Sequence, residues 1–173
     1  YVVCKDGISQ GVFESLPEEF ANYDIYDMGD KLIIPGMIDL HIHASQYAYR
    51  GTCMDLELIE WLQEHAFPEE AKFKDLQYAD KAYSIFAEEM RKSATTRACI
   101  FATRHKDATK VLMDKMEESG LVSYVGKVNM DRNAPPIICE ESAKASETET
   151  INWILETKDN YKNTKPIITP RFI

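Results

Sequence analysis

From Pro35 onward the sequence alternates between two periodicities, and that alternation constrains the fold more than any other feature. Four short apolar or β-branched runs read as strands: Met37 to Ala44, about Thr96 to Thr103, Leu121 to Met130 and Lys165 to Phe172. Between them lie stretches with apolar residues at helical spacing. Asp55 to Phe67 carries Leu58, Ile59, Leu62 and Ala66 on one stripe, and Pro68 is expected to end it. Asp75 to Ser93 carries Ala79, Ala82, Tyr83, Phe86 and Met90. Lys106 to Ser119 stops at Gly120, a residue suited to a left-handed helix cap. Glu140 to Tyr161 is mostly helical, with Ser142 or a neighbour as its cap and Ile151, Ile154 and Leu155 facing inward. The charged stretch PEEAKFKD, from Pro68 to Asp75, reads as a solvated connection. Strands and helices in strict alternation imply parallel strands joined by helical crossovers.

Two architectures satisfy that pattern, an open doubly wound sheet and a closed (β/α)8 barrel. The open sheet would carry a glycine-rich phosphate turn after its first strand. Here the first strand runs into HASQYAYRG, which has no GxGxxG. Polar groups instead gather after each strand: His41 and His43, Arg104 and His105, Asn129 and Asp131, then Arg171. Barrel enzymes place their chemistry at that end. The expected fold is therefore α/β, with residues 35–173 as a partial (β/α)8 barrel of the TIM type, its first four strand–helix units. Residues 1–34 form a separate region that opens with a hairpin, turned at Lys5-Asp6-Gly7. The chain starts inside a strand pattern, without an initiator Met, and closes on a β-branched run, so it is expected to be part of a longer protein.

Composition narrows the function. The 173 residues are 45% hydrophobic, enough for a packed core, and the formal net charge is −9. An acidic chain is poorly matched to nucleic-acid phosphates, so no nucleic-acid partner is expected. No apolar run approaches the ~20 residues of a membrane helix, and no membrane partner is expected either. Cys4, Cys53, Cys99 and Cys139 form no CxxC pair and fit reduced thiols in a cytoplasmic protein.

The chemistry concentrates in PGMIDLHIHASQ, Pro35 to Gln46. Side chains alternate along a strand, so Asp39, His41 and His43 share one face, and Ile38, Leu40 and Ile42 share the other. A lone histidine on a strand is ordinarily structural. Two on one face, with an aspartate beside them, suit a metal ion. Jelly rolls and carbonic anhydrase-type lyases also use HxH, but on antiparallel sheets. A cytidine deaminase-type site would need H-x-E and a later PCxxC, and neither is present. His105 reads equally well as a structural residue or as one that supports the metal ligands from behind. Trp61, at helical spacing, reads as packing between helix and barrel.

The stretch LIIPGMIDLHIHASQYAYRG resembles strand one of the amidohydrolase superfamily, PG-x-I-D-x-H-x-H. HIHASQY, DLELIEWL, FATRH, VGKVNMDRN and KPIITPRF together are similar to the guanine deaminases of that superfamily, over about Lys31 to Ile173. The resemblance implies a hydrolase in which metal-activated hydroxide attacks C2 of guanine, giving xanthine and ammonia. It implies one divalent cation, zinc or alternatively iron, held in part by His41 and His43. It implies a base-binding region drawn from His43, Ala44, Ser45, Gln46, Arg171 and Phe172. Phe172 would contact the base either by its ring or by its backbone, since adjacent strand residues point to opposite faces. Further metal ligands and the proton-shuttling glutamate belong to later strands, so no catalytic residue is located in this segment. The resemblance also implies that residues 1–34 are part of a small β-sandwich and that the protein is a homodimer. Two alternatives stand beside it. One is a sibling deaminase or hydrolase acting on another base or a triazine; the other is a non-catalytic parallel α/β module with a structural HxH.

Overall fold

The computed structural model describes residues 1–171. Contacts divide the chain into two units, Tyr1–Ile34 and Pro35–Ile173. The first contains an antiparallel hairpin of β1 (Val2–Lys5) and β2 (Ile8–Val12). Its two-residue turn uses Asp6 and Gly7, both at positive φ, the conformation that Asp-Gly turns favour.

The second unit is built on four parallel strands in the order β3 (Met37–His43), β4 (Thr95–Phe101), β5 (Val122–Gly126) and β7 (Thr164–Pro166). Beyond β5 and β7 a short pair continues the same direction, β6 (Val128–Asn129) beside β8 (Thr169–Pro170). Sequence neighbours are sheet neighbours and each crossover is helical, the arrangement of four successive units of a (β/α)8 barrel. The third predicted strand is thus interrupted at Lys127, and the fourth at Ile167 and Ile168.

The crossovers form where capping and periodicity agree. Helix α3 (Leu76–Lys92) starts at Asp75, whose carboxylate accepts from Gln77 N at 2.9 Å. Helix α4 (Lys106–Ser119) ends on Gly120 at φ 77°. Helix α5 (Ala143–Thr157) starts at Ser142, whose hydroxyl accepts from Ala145 N at 3.1 Å. One core cluster packs Tyr83, Phe86 and Met90 of α3 and Leu112, Met113 and Met116 of α4 against Ala98 and Ile100 of β4 and Val125 of β5.

Two helical expectations are corrected. Pro68 does not end the first helix. α1 (Leu58–Trp61) runs into a π turn, Leu62–Ala66, and then α2 (Phe67–Ala71). The wide turn is closed by Phe67 N donating to Leu62 O, and Pro68 falls in the first turn of α2, where its missing N–H costs little. The same turn moves the buried stripe. Leu62, Ala66, Phe67 and Glu70 are buried, whereas Leu58 and Ile59 are exposed. PEEAKFKD is correspondingly no solvated connection, because Glu70 and Phe73 lie inside. In α5 the inward residues are Ser146, Thr150, Trp153 and Thr157; Ile151 and Leu155 are exposed and Ile154 is half-buried. Asn129 explains the polar members, since its amide donates to Ser146 Oγ at 2.8 Å and Thr150 Oγ1 at 2.6 Å.

Lys127 is fully buried and its ammonium lies 2.5 Å from Glu140 and 3.2 Å from Glu149. Glu140 also accepts from Met130 N at 2.6 Å. A buried ion pair need not be a net gain in stability, but removing one partner strands the other. Glu140→Ala in the complete protein should therefore lower unfolding free energy by about 3–5 kcal/mol in urea titrations. The paired change Lys127→Met with Glu140→Leu should recover most of that loss.

Candidate active site

β3 is the sheet-edge strand that presents the HxH pair. The strand slips register against β4 between Asp39 and Ile42, and Asp39 turns its carboxylate onto the chain, accepting from His41 N at 3.0 Å. Asp39 is thereby spent on the backbone, and the two histidines are what remain of the polar face. Ile38 and Leu40 on the other face are exposed, and Ile42 packs on the core.

The imidazoles converge. His41 Nε2 and His43 Nε2 are 3.3 Å apart. Two nitrogens bound at ~2.1 Å to one tetrahedral cation stand about 3.4 Å apart, so the pair has the spacing of two ligands of a single ion. Phe101 of β4 supports both rings, stacked on His43 at 4.7 Å and edge-on to His41 at 4.8 Å between centroids. The His43 pKa is pushed down to about 4, first by burial and then by the nearby charges of Arg171 and His41. The imidazole is neutral at pH 7, the form a cation needs. Its Nδ1 is buried without a hydrogen-bond partner among the described residues. Among those residues no group of three or more His, Cys, Asp or Glu is placed to hold a metal. The donor set present fits two positions of such a site.

The chain leaves β3 through a 3-10 turn, Ala44–Tyr49. Ala44 is packed into the core, and the Ser45 hydroxyl donates to Ala102 O at 3.2 Å. Gln46 is different. Its Nε2 donates to Glu70 Oε1 at 3.0 Å. Arg171, at the far end of the chain, reaches the same carboxylate through Nη1, 3.1 Å from Oε1 and 2.9 Å from Oε2. The Arg171 guanidinium also lies 5.5 Å from the Phe67 ring centre. Gln46 and Arg171, both singled out in the sequence, therefore meet on a residue that was not. Phe172 lies outside the described residues.

Glu70 and Phe101 are the residues sequence reasoning missed. A signal existed for Glu70, which falls three residues from both Phe67 and Phe73 on one helical stripe. Tyr49 adds a third. Its hydroxyl is buried without a partner among the described residues, and burial followed by the Glu70 charge pushes its pKa up, keeping the phenol protonated. His105 stands at the start of α4, where its carbonyl accepts from Thr109 N at 3.0 Å. Burial, then Arg104, lower its pKa to about 4. Trp61 packs on Tyr49 and donates to Thr52 O at 3.3 Å.

Comparison with known proteins identifies relatives of the chain as a whole. The model of the amidohydrolase family matches residues 32–172. Guanine deaminase from Homo sapiens is 40% identical over 143 residues, covering 82% of this chain and 32% of that protein. The enzyme from Dictyostelium discoideum is 41% identical over 150 residues, covering 86% and 33%. The chain thus spans about a third of the length of these curated relatives. A crystal structure of guanine deaminase from C. acetobutylicum with bound guanine superposes with a TM-score of 0.93 at 45% identity, over 99% of this chain and 41% of that one. A zinc-bound adenosine deaminase from Xanthomonas campestris shares the fold, with a TM-score of 0.58 at 22% identity over 79% of this chain and 29% of that one.

If His41 and His43 hold the same ion, His41→Ala and His43→Ala in the complete protein should each lose tightly bound metal while keeping wild-type secondary structure. Elemental analysis after dialysis and far-UV circular dichroism measure the two quantities. Full metal in both variants would refute the pairing.

Proposed function

The chain belongs to the amidohydrolase family, and on that premise we propose that it carries two metal ligands and the base-reading groups of a guanine deaminase. One observation carries this reading. The Arg171 guanidinium is tied through Glu70 to Gln46, which stands three residues after His43 in the turn that leaves β3. Metal-competent nitrogens and groups able to read a heterocycle thus occupy one place.

The family is metal-dependent, and the imidazoles of His41 and His43 would hold a divalent ion, zinc in our reading, with iron the alternative that imidazole also suits. Such an ion supplies the Lewis acidity that brings water activation into the neutral pH range. The net reaction adds water at C2 of guanine and releases the 2-amino group as ammonia, leaving xanthine. The residues of this chain orient and exclude. Phe101 holds both imidazoles in place, and Gln46 and Arg171 align the base by hydrogen bonds. A guanidinium has donors only, so it pairs with the C6 carbonyl of guanine and faces another donor in adenine. Guanine is the proposed substrate, in line with relatives named guanine deaminases.

We further propose that residues 1–34 belong to a small β-sandwich, residues 35–173 to the metal-dependent barrel, and that the protein is a homodimer. All four cysteines are unpaired, which suits a cytoplasmic setting. No helix among the described residues is long and apolar enough to cross a membrane.

Ammonia release and metal content of the complete protein test the reading. Wild type should act on guanine and leave adenine and cytosine unchanged. Arg171→Ala should lower kcat/KM on guanine by roughly 2–4 kcal/mol in transition-state terms, the scale of a charge-assisted hydrogen bond lost in a dry site. Its metal content should match wild type. Turnover of adenine in place of guanine would reassign the protein to a sibling deaminase.

A further inference from the structure

Glu70 is the most deeply buried carboxylate among the described residues, and its two oxygens meet partners 24 and 101 positions away in sequence. Its ion pair with Arg171 is shielded on both sides, with side-chain exposures of 11% for the arginine and 3% for the glutamate. An isolated carboxylate would not be buried at that cost. What the arrangement provides is polarity. A carboxylate only accepts, so the Gln46 amide must turn Nε2 toward it. The carbonyl Oε1 is then the end left for a ligand, and it accepts from no described residue. Arg171, fixed in plane by the same carboxylate and by the Phe67 face, has donors only.

We propose that Glu70 is a positioning residue that sets the hydrogen-bonding sense of the base-reading face, an acceptor from Gln46 beside a donor from Arg171. Such a face selects heterocycles with a lactam edge, an N–H next to a C=O. This rests on the functional reading above and deepens it, since N1–H and C6=O of guanine form that edge. The compound 2,6-diaminopurine keeps the same 2-amino leaving group but reverses the edge, with an acceptor at N1 and an amine at C6. Position for position it sets acceptor against acceptor and donor against donor.

Replacing the carboxylate by an amide removes the constraint. A glutamine at position 70 donates as well as accepts, so Gln46 can turn over and Arg171 loses its charged anchor. Glu70→Asp keeps an acceptor-only group, shorter by one methylene. The test is steady-state ammonia release by the complete protein, wild type and both variants, on guanine and 2,6-diaminopurine, with metal analysis of each sample. In Glu70→Gln the KM for guanine should rise about tenfold or more while kcat changes less, and the preference for guanine should fall by a similar factor, because rejection by mismatched buried polar groups is relaxed. Metal content should be unchanged. Glu70→Asp should recover part of the affinity and most of the preference.

A Glu70→Gln enzyme with wild-type KM and preference, or a Glu70→Asp enzyme no better than Glu70→Gln, would make Glu70 a packing residue and overturn the inference alone. Where Glu70→Gln does not fold, Glu70→Asp decides: raised KM with retained preference supports the role, and wild-type KM overturns it. A wild type that releases no ammonia from guanine removes the functional reading and this inference with it.

Discussion

Parallel strand pairing is the constraint on which the rest depends. Because β3, β4, β5 and β7 run in one direction, their C-terminal ends collect on one side, and every residue that follows a strand is delivered there. His43 is brought opposite Phe101 by register alone. Arg171 arrives by the same route, through β8, with its N–H donating to Asn129 O at 2.9 Å. A slip of one residue in β3 would turn both histidines to the other face. Close backbone approach guards the register elsewhere. A Cβ on Gly126 would fall 2.8 Å from Thr169 Cβ, so β5 admits only glycine where the fourth strand's chain crosses it.

Two buried charge systems sit beyond those strand ends, and they serve different purposes. Lys127 and Glu140 lie 13 positions apart and fasten the loop after β6, where Glu140 also takes Met130 N. Lys127 also reaches the half-exposed Glu149 of α5, so this pair ties the loop to a neighbouring helix. Glu70 gathers side chains from two distant segments, Gln46 after β3 and Arg171 after β8. Buried ion pairs add little net stability over apolar packing of the same volume. Their retention therefore has to be explained by geometry, and the Glu70 group holds Gln46, three residues beyond the second metal-competent histidine.

Much of this was legible in the sequence. The strand–helix alternation predicted the parallel sheet, because each crossover has its own start and stop signals at Asp75, Ser142 and Gly120. The period of two in DLHIH predicted the convergent imidazoles. What periodicity predicted poorly was which helical face turns inward when polar partners intervene. Ile151 and Leu155 looked like the core face of α5, yet the half-buried Asn129 amide takes two hydroxyls from that helix, and the face carrying them turns inward. Pro68 looked like a helix end because the α-helical ladder requires an N–H there; a π turn changes the ladder and with it the rule.

Glu70 was hidden for a deeper reason. A stretch such as PEEAKFKD carries as many charges as a solvated loop, and local composition cannot distinguish the one carboxylate that goes inside. Only its place between Phe67 and Phe73 marks it. A charge on an apolar stripe must find a compensating group, and the nearby lysines do not supply it, since Lys72 pairs with Glu69. The compensating cation had to come from another element. Arg171, at the end of the fourth strand, was already singled out for a different role. The two facts are one in the fold: the arginine that suits a purine carbonyl is also the counter-ion of the misplaced carboxylate. The residues proposed for recognition and the residues forced together by electrostatics are here the same residues.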